Sequence, residues 1–416
     1  MASCDDSRDQ IAEDLISEIL VKLVEEDKKS DVETFLRTLK VCRDQQKQVE
    51  NAERWLQWAS GQKKLKIVSY PVPPGVLPKG CDSGELLDIK VSSRGPDDAV
   101  YDASQQIRQR VARGNCFLRI DKGLYKGSRL ILFGLKKFTG GLGDDDDRDK
   151  GDNYTWQKYF TKPLEMATHV VATRKANGEA AHLSCIEIGG QLLICAGSKN
   201  VHMLFSTRED IKRYRGDRFR IASEICEVVM DILEQMEPKD RDRWIARVLG
   251  LQTIEYTVIP LSEVDSHITR IRQGYQFEGE VLYFLENSST VIGLLKKKTI
   301  WYIICRAIRE KVRVAAAAAL KNGSTFSVSS FVKKTEKRLN EIQTWLNLDD
   351  ENIAAWKDLG IGFLKWAVSG VQSHSIDHHA IGDKFPVLWK QYLEESGKCD
   401  KMKVKYEEPT TTYAIP

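Results

Sequence analysis

The sequence predicts an α+β fold, in which a domain built on antiparallel sheet is carried between helical N-terminal and C-terminal extensions. Three observations predict it: apolar residues at helical spacing at both ends, short β-rich runs in the middle, and a proline-rich break where the first texture gives way to the second. The stretch from Asp9 to about Ser60 is charged and helical, with Ile11, Leu15, Ile19 and Leu23 on one stripe and Phe35, Leu39 and Val41 forming a second apolar set. Such a stripe faces a core or serves as a surface for a partner. Pro71-Val72-Pro73-Pro74-Gly75 then interrupts the pattern, because proline removes backbone donors and fixes φ.

From about Leu65 to Lys298 the runs are short and β-rich: Arg129 to Phe133, Val170 to Thr173, His182 to Ile188, Gln191 to Ala196, Thr253 to Ile259 and Gly279 to Leu285. Arg218 to Leu249 reads as two helices between them. Gly143-Asp144-Asp145-Asp146-Asp147-Arg148 is expected to be a solvated loop, since sequential carboxylates rarely converge on a metal without a turn to aim them. After Lys298 the chain reads as helical to about Ser396, with an alanine run from Ala315 to Leu320 and anchors at Trp345, Trp356, Leu364 and Trp366. His374, His378 and His379 lack a second group of ligands and are read as an interhelical loop. The expected domains are residues 1–64, 65–309 and 310–416.

Composition narrows the function classes. At 416 residues and a net charge of +3 the protein is no polycation, so any nucleic-acid contact must come from local clustering. No stretch is long and uncharged enough for a bilayer, and Met1 to Asp6 lacks a basic leader before an apolar run. The 9 cysteines are scattered with no Cys-x-x-Cys pair, which argues against a disulfide framework or structural zinc. A nuclear or cytoplasmic, reducing compartment is expected.

Chemistry concentrates on Lys175. It opens Lys175-Ala176-Asn177-Gly178 after the apolar run His169 to Thr173, and a second β-rich run follows. Two readings fit those four residues: an Asn-Gly hairpin turn between consecutive strands, or a lysine nucleophile presented at a strand end. Around it lie further segments in a particular order. They are Ala112-Arg113-Gly114-Asn115-Cys116-Phe117, Leu132 to Phe138 with Lys137, Ser198-Lys199-Asn200, Glu255-Tyr256, Glu278-Gly279-Glu280-Val281, and Lys296-Lys297-Lys298 followed by Tyr302 and Arg306. Each alone has a plain structural reading; Lys296 to Lys298, for instance, could simply guard an edge strand.

Over about Val111 to Arg309 this succession resembles the adenylyltransferase domain of ATP-dependent RNA ligases, most closely the tRNA-ligase and phage RNA-ligase branch, an ATP-grasp-like nucleotidyltransferase fold. The resemblance implies that Lys175 attacks the α-phosphorus of ATP to form lysyl-AMP, with Mg²⁺ or Mn²⁺ as cofactor. AMP then passes to an RNA 5′-phosphate and is displaced by a 3′-hydroxyl. It further implies that Glu278 holds the metal, that Glu255 contacts the nucleoside or metal, and that Lys296 and Lys298 grip the α-phosphate. Arg113 and Lys137 would contact phosphate, Lys199 the nucleotide or RNA end, while Thr173, Asn177 and Gly178 complete the cofactor-binding set. A free lysine amine has a pKa of about 10.4, so the site must favour the neutral form; Lys296, Lys298, a divalent metal and partial burial are the expected means.

Departures from the family pattern are Asn200 where His often follows Ser-Lys, Phe133 where an arginine is common, and Glu280 where an apolar residue is usual. They fall among the residues that would meet the RNA end. No phosphate loop of the kinase type is present, and His267-Ile268-Thr269 is a solitary His-x-Thr, so RNA ends would be healed by separate enzymes. The alternatives are another lysine nucleotidyltransferase, such as a DNA ligase or capping guanylyltransferase, and a non-catalytic RNA-binding scaffold.

Overall fold

The computed structural model describes residues 46–81, 83–93, 95, 97–140, 144, 155–176, 178–234, 255–287 and 290–406. The helical stripes of Ile11 to Val41, most of Gly143 to Arg148, Asn177, and the second helix expected up to Leu249 lie outside the described residues. In chain order the first elements are α1 (46–60), β1 (Leu65–Pro71), β2 (Gly84–Val91), α2 (Asp98–Ala103), α3 (Gln105–Arg110), β3 (Asn115–Ile120) and β4 (Gly127–Phe133). Next come β5 (His169–Arg174), β6 (Ala181–Ile188), β7 (Gln191–Ser198), β8 (His202–Phe205), α4 (Arg208–Arg213), α5 (Arg220–Glu234), β9 (Tyr256–Pro260) and α6 (Val264–Arg272). The chain continues through β10 (Gly279–Leu285) and β11 (Val291–Lys298). It ends in the helices α7 (Ile300–Asn322), α8 (Ser329–Leu346), α9 (Asp350–Gln372), α10 (Ala380–Asp383) and α11 (Phe385–Ser396). The fold is α+β, and among the described residues every strand pairing within the sheets is antiparallel.

Two compact units divide the chain: Met1–Lys136 with Ala180–Asp242, and Lys137–Glu179 with Arg243–Pro416. The first holds a sheet in the order β1-β2-β3-β4 and a second in the order β6-β7-β8. Ala52 and Leu56 of α1 bury against Leu87, Ile89 and Phe117, with Trp55 stacked on Phe117 at 4.9 Å between ring centroids.

The second unit holds the sheet β11-β10-β5-β9. Its strands alternate, as a half-covered sheet must. Val170 and Ala172, Leu282 and Phe284, and Leu295 turn to a core with Trp156, Ile268 and Ile271. A separate core joins the C-terminal helices around Trp356, Phe363 and Trp389, and it begins at Ile300, so residues 309 and 310 fall inside α7. No helix among the described residues is long and apolar enough to cross a membrane, and every described cysteine is a free thiol.

One expectation is overturned here. Asp144, read as part of a solvated acidic loop, is fully buried: both its oxygens accept from the Arg272 guanidinium, at 2.9 and 2.7 Å, and Oδ1 also accepts the Lys298 backbone N–H at 2.7 Å. A carboxylate enters a core when a bidentate cation and backbone donors replace its water. Arg272 lies far along the chain, where no local pattern reveals it.

Candidate functional site on one face of the second sheet

Lys175 follows β5 without entering a hairpin. β5 pairs with β10 and β9, whereas β6 pairs with β7 in a sheet of the other unit, so Asn177-Gly178 does not close a two-strand turn between them. The hairpin reading of Lys175-Ala176-Asn177-Gly178 is therefore excluded.

Strand register decides which side chains share the open face. Lys296 pairs with Val281, Val281 with Thr173, and Thr173 with Tyr256, forming one cross-strand row; Leu294, Tyr283, Val171 and Val258 form the next. Because side chains alternate along a strand, Lys298 and Lys175, each two residues beyond that first row, lie on the same face as Lys296 and Thr173. The face is apolar and aromatic in the middle and basic at one end. Tyr256 and Val258 stand largely exposed on it.

The start of β10 sets Lys175 against Glu278. The Lys175 backbone N–H donates to the Gly279 carbonyl at 2.8 Å, and Lys175 Nζ lies 2.9 Å from Glu278 Oε2. Glu278 is nearly buried, with 6% of its side chain exposed, while Lys175 keeps 29%. Gly279 has φ of 142°, and a Cβ there would meet the Lys297 carbonyl oxygen at 2.0 Å, so only glycine allows β11 to approach this closely. Gly178 likewise has a positive φ of 144°.

The charged group placed against the Lys175 amine is the Glu278 carboxylate. Lys298 is engaged as well: its amine donates to the Asp144 carbonyl, and Lys297 Nζ lies 3.8 Å from Asp144 Oδ2. Lys297 and Lys298 are buried. A lysine run that merely kept an edge strand soluble would stand in water.

The other expected residues fall as follows. Lys137 is buried in the same unit. Thr173 Oγ1 donates to the Val281 carbonyl at 3.3 Å. Glu255 is exposed, and its carbonyl accepts from Arg174 N at 3.3 Å; continued register sets it in the row of Arg174 and Glu280, facing away from Lys175. The structure thus brings together Lys175, Glu278, Thr173, Lys296 and Lys298, and does not bring Glu255 to them.

Arg113 and Lys199 belong to the first unit. Arg113 pairs with Asp97 at 2.9 Å, and Lys199 sits in the turn joining β7 to β8, where Ser198 Oγ accepts from Asn200 N at 3.4 Å. Glu280, the acid in an unusual place, has a partner: its Oε2 lies 2.6 Å from His267 Nε2. That pairing occupies the opposite face and explains why a carboxylate is tolerated there.

A second polar network in the first unit was not foreseen. Asp88 Oδ1 lies 2.7 Å from His202 Nδ1, His202 Nε2 lies 3.2 Å from His182 Nδ1, and Asp88 Oδ2 accepts from the Tyr70 hydroxyl at 2.8 Å. Burial, then the neighbouring His202, lower the His182 pKa to about 4. Asp88, Cys116 and His202 have ligand-type atoms within 4.8 Å of one another. Hydrogen bonds already serve the imidazole and carboxylate, so we read a buried polar chain there instead of a metal centre. The sequence held one hint, the His202 that follows Ser198-Lys199-Asn200.

Glu278 is a single carboxylate of the ligand type that a magnesium ion takes beside waters and substrate phosphates, and among the described residues it belongs to no cluster of three metal-ligand side chains. No protein-family model, curated protein or solved structure matches the chain.

Proposed function

We propose that this protein is an ATP-dependent RNA ligase that works through a lysyl-AMP intermediate on Lys175. The observation that carries the reading is the Lys175–Glu278 pair at 2.9 Å on a sheet face shared with Lys296 and Lys298. A strand-end amine able to attack, and a carboxylate and lysines able to offset charge around a phosphate, support the reading.

In the first step the Lys175 amine attacks the α-phosphorus, the N–P bond forms, and the bond to the pyrophosphate oxygen breaks. The proton that the amine sheds passes to water, to which Lys175 is 29% exposed, so the Glu278 carboxylate keeps its charge. Lys296 offsets charge that grows on the phosphate oxygens, and Thr173, Val171 and Tyr256 provide a floor for the nucleoside. Glu278 would hold a divalent cation, which would supply further neutralisation of the triphosphate. AMP then moves to an RNA 5′-phosphate, and a 3′-hydroxyl displaces it to seal the strand. RNA specificity rests on the order of motifs from Ala112 to Arg306, including the Arg113-Gly114 segment and Lys-x-Asn-Gly in place of Lys-x-Asp-Gly.

The test is strand joining. With ATP and Mg²⁺ the wild type is expected to convert 5′-phosphorylated, 3′-hydroxyl RNA into longer or circular product, and Lys175→Ala to form none. Sealing of nicked DNA only, or labelling by GTP in place of ATP, would assign the site to a different nucleotidyltransferase.

A further inference from the structure

Glu278 reaches Lys175 at the end of a segment that the C-terminal part of the chain holds in place. Asp400, beyond α11, is buried and accepts three hydrogen bonds: from the Tyr275 hydroxyl at 2.6 Å, from Trp301 Nε1 at 2.8 Å and from Trp389 Nε1 at 2.7 Å. Both indoles are on helices, α7 and α11, so the carboxylate sits in a frame that leaves it little freedom. Tyr275 is the one member of the trio on the loop that leads to Glu278. Burial, followed by its bond to Asp400, raises the Tyr275 pKa, which keeps the hydroxyl a donor.

The residues between Tyr275 and the site are fixed one after another. Gln276 adopts φ of 59°, a left-handed conformation that a non-glycine side chain holds only under outside constraint. The Phe277 carbonyl accepts from Thr299 Oγ1 at 2.8 Å, and the Glu278 carbonyl accepts from Thr299 N at 2.9 Å. Gly279 follows with its carbonyl bonded to Lys175 N. Thr299 restrains one side of this stretch and Asp400 the other. At the same loop, Gln273 Nε2 donates to the Tyr406 carbonyl at 3.2 Å, a second tie to the C-terminal segment.

We infer that Asp400, through Tyr275, is a positioning residue for Glu278: the C-terminal strap sets the geometry of the carboxylate that faces Lys175 and the metal. The inference rests on the ligase reading for its functional consequence, and on the hydrogen bonds alone for its structural one. Without the Tyr275 bond, the left-handed Gln276 loses one of its restraints and the loop relaxes toward commoner backbone angles. Glu278 then spends less time at its site.

The sharp variant is Tyr275→Phe, which removes one hydroxyl and leaves both indole bonds to Asp400 intact; Asp400→Asn is the companion. Two readouts are taken on the same protein: hydrogen exchange of the amides of residues 276–279, and the Mg²⁺ dependence of self-adenylylation with α-labelled ATP. A hydrogen bond to a charged acceptor is strong enough that exchange should quicken about fivefold or more. Exchange in α9 should be unchanged. The Mg²⁺ concentration for half-maximal labelling should rise by a similar factor, with the rate recovering at high Mg²⁺.

Unchanged exchange at 276–279 in a folded Tyr275→Phe protein overturns the inference, as does faster exchange with the wild-type Mg²⁺ dependence. Absence of labelling in the wild type instead overturns the ligase reading, and exchange then still reports whether the strap holds the loop.

Discussion

Asp144→Asn is the perturbation whose size follows most directly from the structure. The side chain and its partner Arg272 are both about fully buried, at 0% and 1% exposed, and the carboxylate accepts two guanidinium bonds and one backbone N–H. An asparagine keeps one oxygen for the Lys298 amide but turns its NH₂ toward an arginine that only donates. A buried charge left without its counter-ion costs about 3–5 kcal/mol. For a unit of this size, roughly 2–4 °C of melting temperature follows each kcal/mol, so a fall of about 6–20 °C is expected. Differential scanning calorimetry of wild type and variant measures it. Replacing the pair together, with Asp144→Leu and Arg272→Met, should recover part of the loss, because two well-packed apolar groups remove the unpaired charge. A shift under about 2 °C for Asp144→Asn alone would mean that the carboxylate is solvated, and the clamp on the end of β11 would have to be abandoned.

Other outcomes are as definite. Glu278→Gln is expected to keep the melting temperature within about 3 °C yet lower self-adenylylation at least about a hundredfold, read by labelled-ATP transfer, since an amide carries no charge for a cation. Gly279→Ala should unfold or badly destabilise the second unit, by about 3 kcal/mol or more in urea titration, because its Cβ would lie 2.0 Å from the Lys297 carbonyl oxygen at φ of 142°; wild-type stability would show that β11 is farther away. Lys296→Ala should lower labelling about tenfold or more without altering the fold, and full activity would remove this lysine from the phosphate site. For His182, the folded pKa of about 4 lies below the unfolded value of about 6.5, so the unfolded chain binds more protons between them. Its contribution to stability is fully present above about pH 6.5 and is lost as pH falls toward 4, weakened by solvent because the ring is only partly buried; His182→Asn should flatten the melting-temperature profile across that window.

Legibility in the sequence followed the locality of the interaction. β4, β5, β6, β7 and β10 coincide closely with the runs Arg129 to Phe133, Val170 to Thr173, His182 to Ile188, Gln191 to Ala196 and Gly279 to Leu285, because period-two patterning bounded by turns is a local signal. β11 was read only at its Lys296 to Lys298 end, as an edge strand, and the burial of those lysines becomes legible once Asp144 is found against them. Partnership was less legible still. β5 and β6 are neighbours along the chain but pair in different sheets, and nothing within Lys175-Ala176-Asn177-Gly178 distinguishes that arrangement from a hairpin.

The site shows the same division. Glu278 and Lys175 were legible as chemical types in a recurring order, and the structure sets them 2.9 Å apart. The face that Glu255 takes was not legible, since it depends on the register of β9 against β5, which a one-residue slip would reverse. Asp400, Tyr275 and Arg272 carry no motif at all. Their roles arise from contacts between distant parts of the chain, where a buried donor or acceptor must find a partner wherever the fold supplies one.

The most direct measurement is the mapping of the covalent adduct. Wild-type protein incubated with α-labelled ATP and Mg²⁺ should retain one acid-labile AMP, and peptide mass spectrometry should place it on Lys175, with none formed by Lys175→Ala. An unlabelled wild type, or AMP attached at another lysine, would contradict the account.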